Sequence, residues 1–457
     1  MKRRVTTDTI AAVGSPFGEG AIALLRVSGP GALEVAGKVC AGQPDLGTFP
    51  ARRQRLVRLL DRAGRPLDEV LLCLHRAPAS YTGEDVVEIS CHGGILVTRR
   101  VLETLLAAGA RSAEPGEFTQ RAFLNGRMDL TQAEAVMDLI RAQTDLAIRA
   151  AGEQLEGRLG QRVNGLREEL LSLVAHVEAF IDFPDENIDP DTGNSLVARA
   201  DGMIAALDAL LATAGQGRIL REGVRTVLYG EPNVGKSSLL NALLGQERAI
   251  VSDLPGTTRD TIEESLNVRG LPLRLTDTAG LRPSVDPLEN AGMAHTRRTL
   301  ARADLALHVV DGSLPPAGVA MAETGDARQP VPVEILVLNK ADLEVHPAWA
   351  ARPEAVRVSC RSGEGLDALA EAIYERVTGG QLSWNDSAVA INARHQECLQ
   401  RAREALLTAR AALRDGVSPE FAALDLRAAL DAVGAVVGQV DTEDILGRIF
   451  STFCIGK

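Results

Sequence analysis

A glycine-rich segment in the middle of the chain carries the residue types that bind a nucleotide phosphate. Gly230 to Ser237 lies between the β-prone run Val224 to Tyr229 and a helix-like run that begins at Ser238. A strand that turns through glycines into a helix N-terminus offers free N–H groups and the positive end of the helix dipole to an anion. There Lys236 can reach the β- and γ-phosphates, and the hydroxyl of Ser237 can ligate Mg²⁺. The segment predicts a phosphate loop without distinguishing ATP from GTP.

Later segments indicate that the base is guanine. The run Asn339 to Asp342 ends an apolar, strand-like stretch from Val333 to Leu338. A carboxylate only accepts hydrogen bonds, so Asp342 can accept from the two N–H donors on the edge of guanine, whereas adenine presents a different pattern. Together with Asp277 to Gly280 and Ser359 to Arg361, these segments follow the order that a guanine-nucleotide site requires.

Hydrolysis of the γ-phosphate needs charge neutralisation and an oriented water molecule. Asp277 can hold the Mg²⁺ shell, Gly280 can contact the γ-phosphate through its N–H, and a threonine between Gly256 and Asp260 can complete the metal shell. The next residue is Leu281, where Ras-like proteins place a water-orienting glutamine. The sequence therefore predicts a different device for orienting water and supplying positive charge.

Two residues are candidates for that device. Asn233, inside the phosphate loop, can give its side-chain carbonyl to a monovalent cation that does the work of an arginine finger. Glu289 is the nearest carboxylate after a flexible segment and can act through water. The alternatives are an asparagine that stabilises the loop and a solvated glutamate.

The elements that must position these segments follow from the pattern of apolar residues. The 457 residues predict about three domains. We expect an α+β domain over 1–122, a helical domain over 123–222 that continues at 379–457, and an inserted α/β domain over 223–378. Strands over 226–230, 271–276, 305–311, 333–339 and 356–359 alternate with helix-like segments, which predicts a doubly wound sheet with its ligand at the carboxyl ends of the strands.

Composition narrows the class of protein. Hydrophobic residues make up 45% of the chain, and no apolar run reaches the roughly 18 residues of a membrane span. The basic start lacks the features of a secretory leader, and the six cysteines show no paired spacing, so we expect a cytoplasmic protein with reduced thiols. The net charge of −12 argues against a generally basic nucleic-acid binder. The arginines at 52, 53, 55 and 58 are either a local RNA patch or a solvated strand edge, and the second is favoured.

Three stretches outside the nucleotide motifs carry a family resemblance. They are Tyr81 to Asp85 with the following His92 to Gly94, then Glu117 to Leu130, and finally Phe453 to Lys457. Together with Asn233 and Gly256 to Asp260, they resemble the MnmE (TrmE) family of tRNA-modifying GTPases, from about Thr9 to the last residue.

The resemblance implies a multidomain fold: an N-terminal folate-binding domain that forms a homodimer, a discontinuous helical domain, and an inserted Ras-like P-loop G domain. It implies K⁺ at Asn233, Ser252, Leu254 and Thr257, and Mg²⁺ at Ser237 and Thr258, with Glu289 as the hydrolytic carboxylate. The whole set of residues expected to bind GTP or GDP is Asn233, Val234, Gly235, Lys236, Ser237, Ser238, Ser252, Asp253, Leu254, Pro255, Gly256, Thr257, Thr258, Asp277, Thr278, Ala279, Gly280, Asn339, Lys340, Ala341, Asp342, Ser359, Cys360 and Arg361.

The resemblance also implies a reaction. With the flavoprotein MnmG (GidA) as partner in a heterotetramer, family members install aminomethyl or carboxymethylaminomethyl groups at C5 of the wobble uridine, position 34, of certain tRNAs. A tetrahydrofolate derivative, 5-formyl or methylene, is the implied one-carbon carrier, at positions that match Arg26, Glu88, Arg127 and Lys457. At Arg127 many members have lysine, and the two cations differ in geometry.

Two alternatives stay open at this point. The thiol of Cys454 can be a nucleophile or acid–base group near the folate, or it can be a small buried hydrophobe. The whole protein can be a GTP-driven RNA or ribosome-assembly switch without covalent modification, although the terminal cysteine segment and the N-terminal domain favour the enzyme.

Overall fold

The computed structural model describes residues 8–182, 193–246, 264–275, 300, 302–316, 333–379, 389–415, 418–439 and 443–457. The chain divides into two compact units. The first comprises Met1–Met137, Gln154–Ile204 and Arg401–Lys457, and the second comprises Asp138–Glu153 and Ala205–Gln400. Both ends of the chain therefore belong to one unit, and the predicted nucleotide segments belong to the other.

The first unit contains a six-stranded sheet in the order β3-β4-β5-β2-β1-β6. Its pairs are antiparallel except for β1 with β6, which is parallel. The strands are β1 Ile10–Val13, β2 Ile22–Ser28, β3 Gln54–Leu60, β4 Pro66–His75, β5 Val86–His92 and β6 Arg111–Ser112. The helices that accompany the sheet are α1 Ala32–Lys38, α2 Ile95–Ala107 and α3 Glu117–Leu124.

Alternation along the strands gives this sheet one covered face and one face, the open face, that is covered only around β1, where Ile10 and Ala12 pack with Phe118 of α3. In β2, Ala23, Leu25 and Val27 are buried in the core with Val101 and Leu105 of α2. The residues between them, such as Ile22 and the partly buried Arg26, face the opposite side. The open face is therefore available to polar and charged side chains.

Helices make up the rest of the first unit and extend into the second. They are α4 Leu130–Arg141, α5 Asp145–Leu155, α6 Arg158–Asp182, α7 Gly193–Leu211, α8 Ala214–Glu222, α11 Ala393–Arg414, α12 Pro419–Val437 and α13 Glu443–Ser451. Helices α6 and α12 pack together, and Arg427 of α12 pairs with Glu178 of α6 at 2.6 Å. Because one of these helices precedes the nucleotide segments and the other follows them, the prediction of a discontinuous helical region is confirmed.

The second unit contains the other sheet, in the order β12-β11-β10-β7-β9-β8. The strands are β7 Val224–Tyr229, β8 Glu264–Val268, β9 Leu271–Leu275, β10 Leu305–Asp311, β11 Val333–Asn339 and β12 Val356–Arg357. All pairs are parallel except that of β8 with β9. Helices α9 Lys236–Gln246 and α10 Leu366–Thr378 pack on a leucine- and valine-rich core, so the predicted doubly wound sheet is present, with one antiparallel edge strand added.

An ion-pair cluster at the start of β7 joins this sheet to α8. The Asp304 carboxylate accepts hydrogen bonds from the side chains of Arg218 in α8 and Arg225 in β7, at 3.0 to 3.3 Å. Burial opposes ionisation of Asp304, but these bonds outweigh it and lower its pKa to about 2. The helix that leads into the sheet is therefore fixed to it by charge.

Two residues of the arginine-rich run, Arg55 and Arg58, lie on the edge strand β3, and Arg52 and Arg53 precede it. Arg55 and Arg58 are exposed, Arg55 lies over the ring of Phe49 at 4.4 Å, and Arg58 pairs with Glu69 at 2.9 Å. This placement is that of a solvated strand edge.

None of the helices in the described parts of the chain has the length and hydropathy of a membrane span.

Candidate functional site

The phosphate loop connects the carboxyl end of β7 to the start of α9. Three of its residues have positive φ: Gly230 at 144°, Asn233 at 65° and Gly235 at 98°. A Cβ on Gly230 would lie 2.1 Å from the carbonyl oxygen of Val309. The loop therefore needs glycine at its first position, because the backbone passes directly against β10.

Lys236, at the beginning of α9, reaches back across this loop. Its Nζ donates to the carbonyl oxygens of Gly230 at 2.9 Å and Glu231 at 2.7 Å. Burial lowers the pKa of the Lys236 ammonium below its ordinary value. The ammonium is held at the helix N-terminus, the place where a bound phosphate is stabilised. Ser237 and Ser238 follow it as exposed residues.

Asn339 ties the phosphate loop to the guanine segments. Its Nδ2 donates to the carbonyl oxygen of Val234 at 2.8 Å. Its Oδ1 accepts from the backbone N–H of Cys360 at 3.4 Å and from the Cys360 thiol at 3.1 Å. Asn339 is 2% exposed, so one buried amide brings three of the sequence motifs together.

Asp342 lies at the mouth of this arrangement. Its Oδ1 accepts from the hydroxyl of the buried Ser359 at 2.8 Å, and the Ser359 oxygen in turn accepts from the N–H of Ser362 at 3.2 Å. Burial raises the pKa of the Cys360 thiol, so Cys360 serves here as a hydrogen-bond donor. Ser359 thereby fixes the Asp342 carboxylate through one of its two oxygens.

Part of the predicted machinery lies outside the described residues. These positions are Ser252, Asp253, Leu254, Pro255, Gly256, Thr257, Thr258, Asp277, Thr278, Ala279, Gly280 and Glu289. The phosphate loop and the base segments are thus the structurally described part of the predicted nucleotide site.

A second group of predicted residues meets on the open face of the first sheet. Arg26 in β2 and Glu88 in β5 are directly opposite each other, and the guanidinium donates to Glu88 Oε1 at 2.7 and 3.1 Å. The guanidinium also lies 5.3 Å from the ring centre of Tyr81 and 5.8 Å from that of Phe118. These two aromatic partners were not among the predicted site residues, although both stand in the stretches that carry the family resemblance.

The C-terminal tail closes this group. The backbone N–H of Phe118 donates to the carbonyl oxygen of Lys457 at 3.2 Å, and a Cβ on Gly456 would lie 2.3 Å from the carbonyl oxygen of Val13. Burial and the charge of Arg26 lower the pKa of Lys457, while Glu88 and Cys454 oppose this shift. The tail therefore brings Lys457 into the electrostatic field of Arg26 and Glu88, with Cys454 close enough to act on Lys457 as well.

The remaining members of the group have different positions. Arg127 is exposed and packs along the Tyr81 to Gly83 turn, since a Cβ on Gly83 would lie 3.1 Å from Arg127 Cγ. Cys454 is exposed, so the interpretation of its side chain as a small buried hydrophobe is wrong.

Other residues of the resemblance stretches hold the domain together. Arg121 of α3 is 2% exposed and pairs with Asp8 at 2.8 Å, Glu117 at 2.9 Å and Glu84 at 3.3 Å. Glu84 also accepts from Ser28 of β2 at 2.8 Å. These charges fix α3 and the turn before β5 against the sheet, so part of the sequence signature is structural.

The strand order of the second sheet and the loops at the carboxyl ends of its strands define a P-loop GTPase of Ras-like architecture. Residues 9–127 match the family described as the GTP-binding protein TrmE N-terminus, and residues 130–454 match the MnmE helical domain. The chain belongs to the MnmE (TrmE) family of tRNA modification GTPases.

Full-length relatives support the same assignment. The tRNA modification GTPase MnmE of Akkermansia muciniphila is 52% identical over 98% of this chain and 99% of that protein. Its namesake from Syntrophotalea carbinolica is 46% identical over 99% of this chain and 100% of that protein. Among solved structures, the G domain of the T. maritima FeoB iron transporter is 28% identical over 34% of this chain and 98% of that chain. The TM-score of this match is 0.25.

Gly235→Ala tests the close contact between the phosphate loop and Asn339. A Cβ at this position would lie 2.2 Å from Asn339 Nδ2, and φ is 98°. We expect affinity for GDP, measured by titration with a fluorescent analogue, to fall roughly a hundredfold, because strain and loss of a buried hydrogen bond each cost about 1–3 kcal/mol.

Gly245→Ala in α9 is the matched control. Among the described residues, no atom outside the adjoining helix backbone lies within 4 Å of a Cβ placed there, and alanine has a higher helix propensity than glycine. The affinity for GDP should therefore stay within about twofold of that of the unchanged protein. Equal affinities for both variants would contradict the proposed link between Gly235 and Asn339.

Proposed function

We propose that this protein is a potassium-dependent GTP hydrolase that acts with the flavoprotein MnmG on the wobble uridine of certain tRNAs. Together they would install aminomethyl or carboxymethylaminomethyl groups at C5. The observation that carries the proposal is the C-terminal tail, which is hydrogen-bonded to Phe118 and places Lys457 near Arg26 and Glu88. A protein that only switched between GTP and GDP states would not need Arg26, Glu88 and Lys457 to meet in the unit that does not contain the phosphate loop.

The nucleotide part of the proposal rests on the described edge of the second sheet. Lys236 would exchange its carbonyl partners for the β- and γ-phosphates, and Asp342 would accept from the guanine edge. Ser237, at the N-terminus of α9, presents a hydroxyl suited to Mg²⁺, a cation that prefers oxygen ligands. Thr258 would complete the protein's contribution to that metal.

The potassium part of the proposal rests on Asn233 and Leu281. Asn233 is exposed in the phosphate loop with φ of 65°, a conformation that asparagine tolerates better than most residues. This exposes a side-chain carbonyl beside the phosphates. With Leu281 in the place of a water-orienting glutamine, a cation held by Asn233, Ser252, Leu254 and Thr257 would supply positive charge. Glu289 would act on the attacking water.

GTP hydrolysis should therefore depend on the alkali cation. We expect kcat in KCl to exceed kcat in NaCl at equal ionic strength by at least about tenfold, a smaller effect than the roughly 10³- to 10⁵-fold contribution of an arginine finger. Phosphate release by the full-length protein measures this. Asn233→Gly should remove the difference while leaving GDP binding in place, because glycine accepts the positive φ of this position without strain. Equal rates for the unchanged protein in both salts would contradict the cation's role.

The one-carbon part of the proposal rests on the chemistry of the open-face group. Arg26 and Lys457 offer cationic donors, Glu88 offers an acceptor, and Tyr81 and Phe118 offer apolar rings beside the guanidinium. A reduced folate has a pterin whose planar pyrimidine ring donates and accepts hydrogen bonds, and a glutamate tail that carries negative charge, so these residues suit it. When bound, a 5-formyl- or methylene-tetrahydrofolate would supply the one-carbon unit. Arg127 lies at the neighbouring turn and would contribute charge from there.

Cys454 has an exposed thiol in the field of Lys457. We propose that it acts as a nucleophile or acid–base group in the modification. Cys454→Ser should abolish wobble-uridine modification in cells while GTP turnover by the purified protein stays unchanged. Mass spectrometry of tRNA nucleosides measures the modification.

Ser451→Ala is the control for this experiment, since it is an exposed residue three positions earlier. It should leave the modified nucleoside at its normal level. If deletion of the gene itself leaves the level of the modified wobble uridine unchanged, the protein is a GTP-driven switch and not a modification enzyme.

A homodimer is proposed through the open face of the first sheet. A row of directly paired positions crosses four strands there: Leu56, Leu71, Ser90 and Leu24. Leu56 is 68% exposed and nearby Ile22 is 66% exposed. The apolar row continues into the Arg26 and Glu88 group, so a second copy placed on it would cover both the row and the folate site.

Leu56→Asp should convert the dimer into a monomer, because a carboxylate at the centre of an apolar interface costs several kcal/mol. Light scattering after size exclusion measures the mass. Leu314→Asp is the control, since this leucine is 56% exposed in the second unit and should leave the mass unchanged. A monomeric mass for the unchanged protein would contradict the proposed dimer.

A further inference from the structure

A half-buried aspartate outside the four nucleotide motifs contacts the lysine of the guanine segment. Asp311 is the last residue of β10 and lies directly opposite Asn339, the last residue of β11. Its Oδ2 is 2.6 Å from Nζ of Lys340. The Asp311 side chain is 11% exposed and that of Lys340 is 37% exposed. The pair therefore stands at the carboxyl edge of the sheet with only its lysine end open to solvent.

The aspartate is itself fixed before any ligand binds. Its other oxygen, Oδ1, accepts from the backbone N–H of Ser313 at 3.0 Å and from the Ser313 hydroxyl at 2.6 Å. The backbone N–H of Gly312 donates to the carbonyl oxygen of Asn339 at 2.9 Å. Each carboxylate oxygen thus has its own partner, and the turn that holds Asp311 is anchored to the guanine segment.

Asp311 is an anion at neutral pH. Burial alone would raise its pKa, but the hydrogen bonds from Lys340 and Ser313 outweigh burial, and its pKa lies below the ordinary value. The bond to Lys340 is therefore charge-assisted, which is the stronger kind.

Lys340 has a backbone conformation that lysine rarely adopts, with φ of 64°. Glycine or asparagine would take this conformation at lower cost. Local backbone preference does not explain a lysine here, so its side chain must account for it. A long apolar stem that ends in a fixed ammonium is suited to cover a flat ring.

We propose that Asp311 is a positioning residue that holds Lys340 over the guanine base. The inference rests on the proposed nucleotide site and adds a residue to it. A lysine loses much side-chain freedom when it is immobilised. Because Asp311 already restricts Lys340 in the free protein, less freedom is lost when GDP or GTP binds. The gain appears as slower release of the nucleotide.

A double-mutant cycle on the full-length protein tests this coupling. The variants are Asp311→Asn, Lys340→Met and the two together, and the measurement is the dissociation rate of a fluorescent GDP analogue by stopped flow. We expect each single change to speed release roughly tenfold, and the double variant to release no faster than Lys340→Met alone, because residues in direct contact are not additive. Asp311→Glu, which keeps the charge, should restore part of the slow release.

The contrary outcomes are distinct. One contrary outcome is that Asp311→Asn speeds release by the same factor in the unchanged protein and in the Lys340→Met variant. Asp311 would then only stabilise the turn at Ser313, and the positioning role would be wrong. If Lys340→Met alone leaves release unchanged, the assignment of the guanine segment fails as well. A rate unchanged by Asp311→Asn also overturns the proposal.

Two controls separate local from general effects. Ser313→Ala removes one hydrogen bond to Asp311 but leaves the Lys340 contact, so release should change less than about twofold. Asp61→Asn removes an exposed ion pair with Arg65 in the first unit and should leave release unchanged. If Asp311→Asn does not fold, Asp311→Ser gives the same cycle, since its hydroxyl still accepts from the Ser313 N–H.

Discussion

The nucleotide edge of the second sheet depends on the buried amide of Asn339. It donates to the phosphate loop at Val234 and accepts from Cys360. A buried amide without these partners would lose its hydration with no compensation. The loops that would bind phosphate and base are therefore held in one arrangement, and Gly235 must lack a side chain because the amide lies against it.

The strands explain why the sequence predicted this edge so well. The predicted bounds of β10 and β11 are those of the structure, because each is a continuous apolar run that ends at a polar motif. Motif residues at the carboxyl ends of parallel strands meet at one edge of the sheet. The spacing of the motifs was therefore enough to predict that Lys236, Asn339 and Ser359 lie at the same edge. The pair formed by Asp311 and Lys340 was missed, since an aspartate that ends a strand looks like an ordinary turn residue in sequence.

Other elements could not be read from local pattern. The strand β8, Glu264–Val268, is short and pairs antiparallel at the edge, and only two of its residues, Leu266 and Val268, are apolar and buried. β1 pairs with β2 and the arginine-rich β3 pairs with the following strand β4, but neither β1 nor β3 alternates apolar and polar residues, so local periodicity does not reveal them. In the same way, Glu84, Glu117 and Arg121 stand in signature stretches, but only the structure shows that they form one buried ion cluster.

The position of the C-terminal tail depends on how the domains follow one another along the chain. Gly456 can pass against Val13 only because it has no side chain and φ is 100°, and Lys457 then reaches the field of Arg26. This requires the chain to return to its first unit after the nucleotide segments, which the packing of α6 on α12 accomplishes. A helical region interrupted by the G domain is thus a condition for the open-face group to form. The ion-pair cluster in which Asp304 binds Arg218 and Arg225 fixes α8 to the second sheet, so buried or half-buried ion pairs stabilise each unit internally.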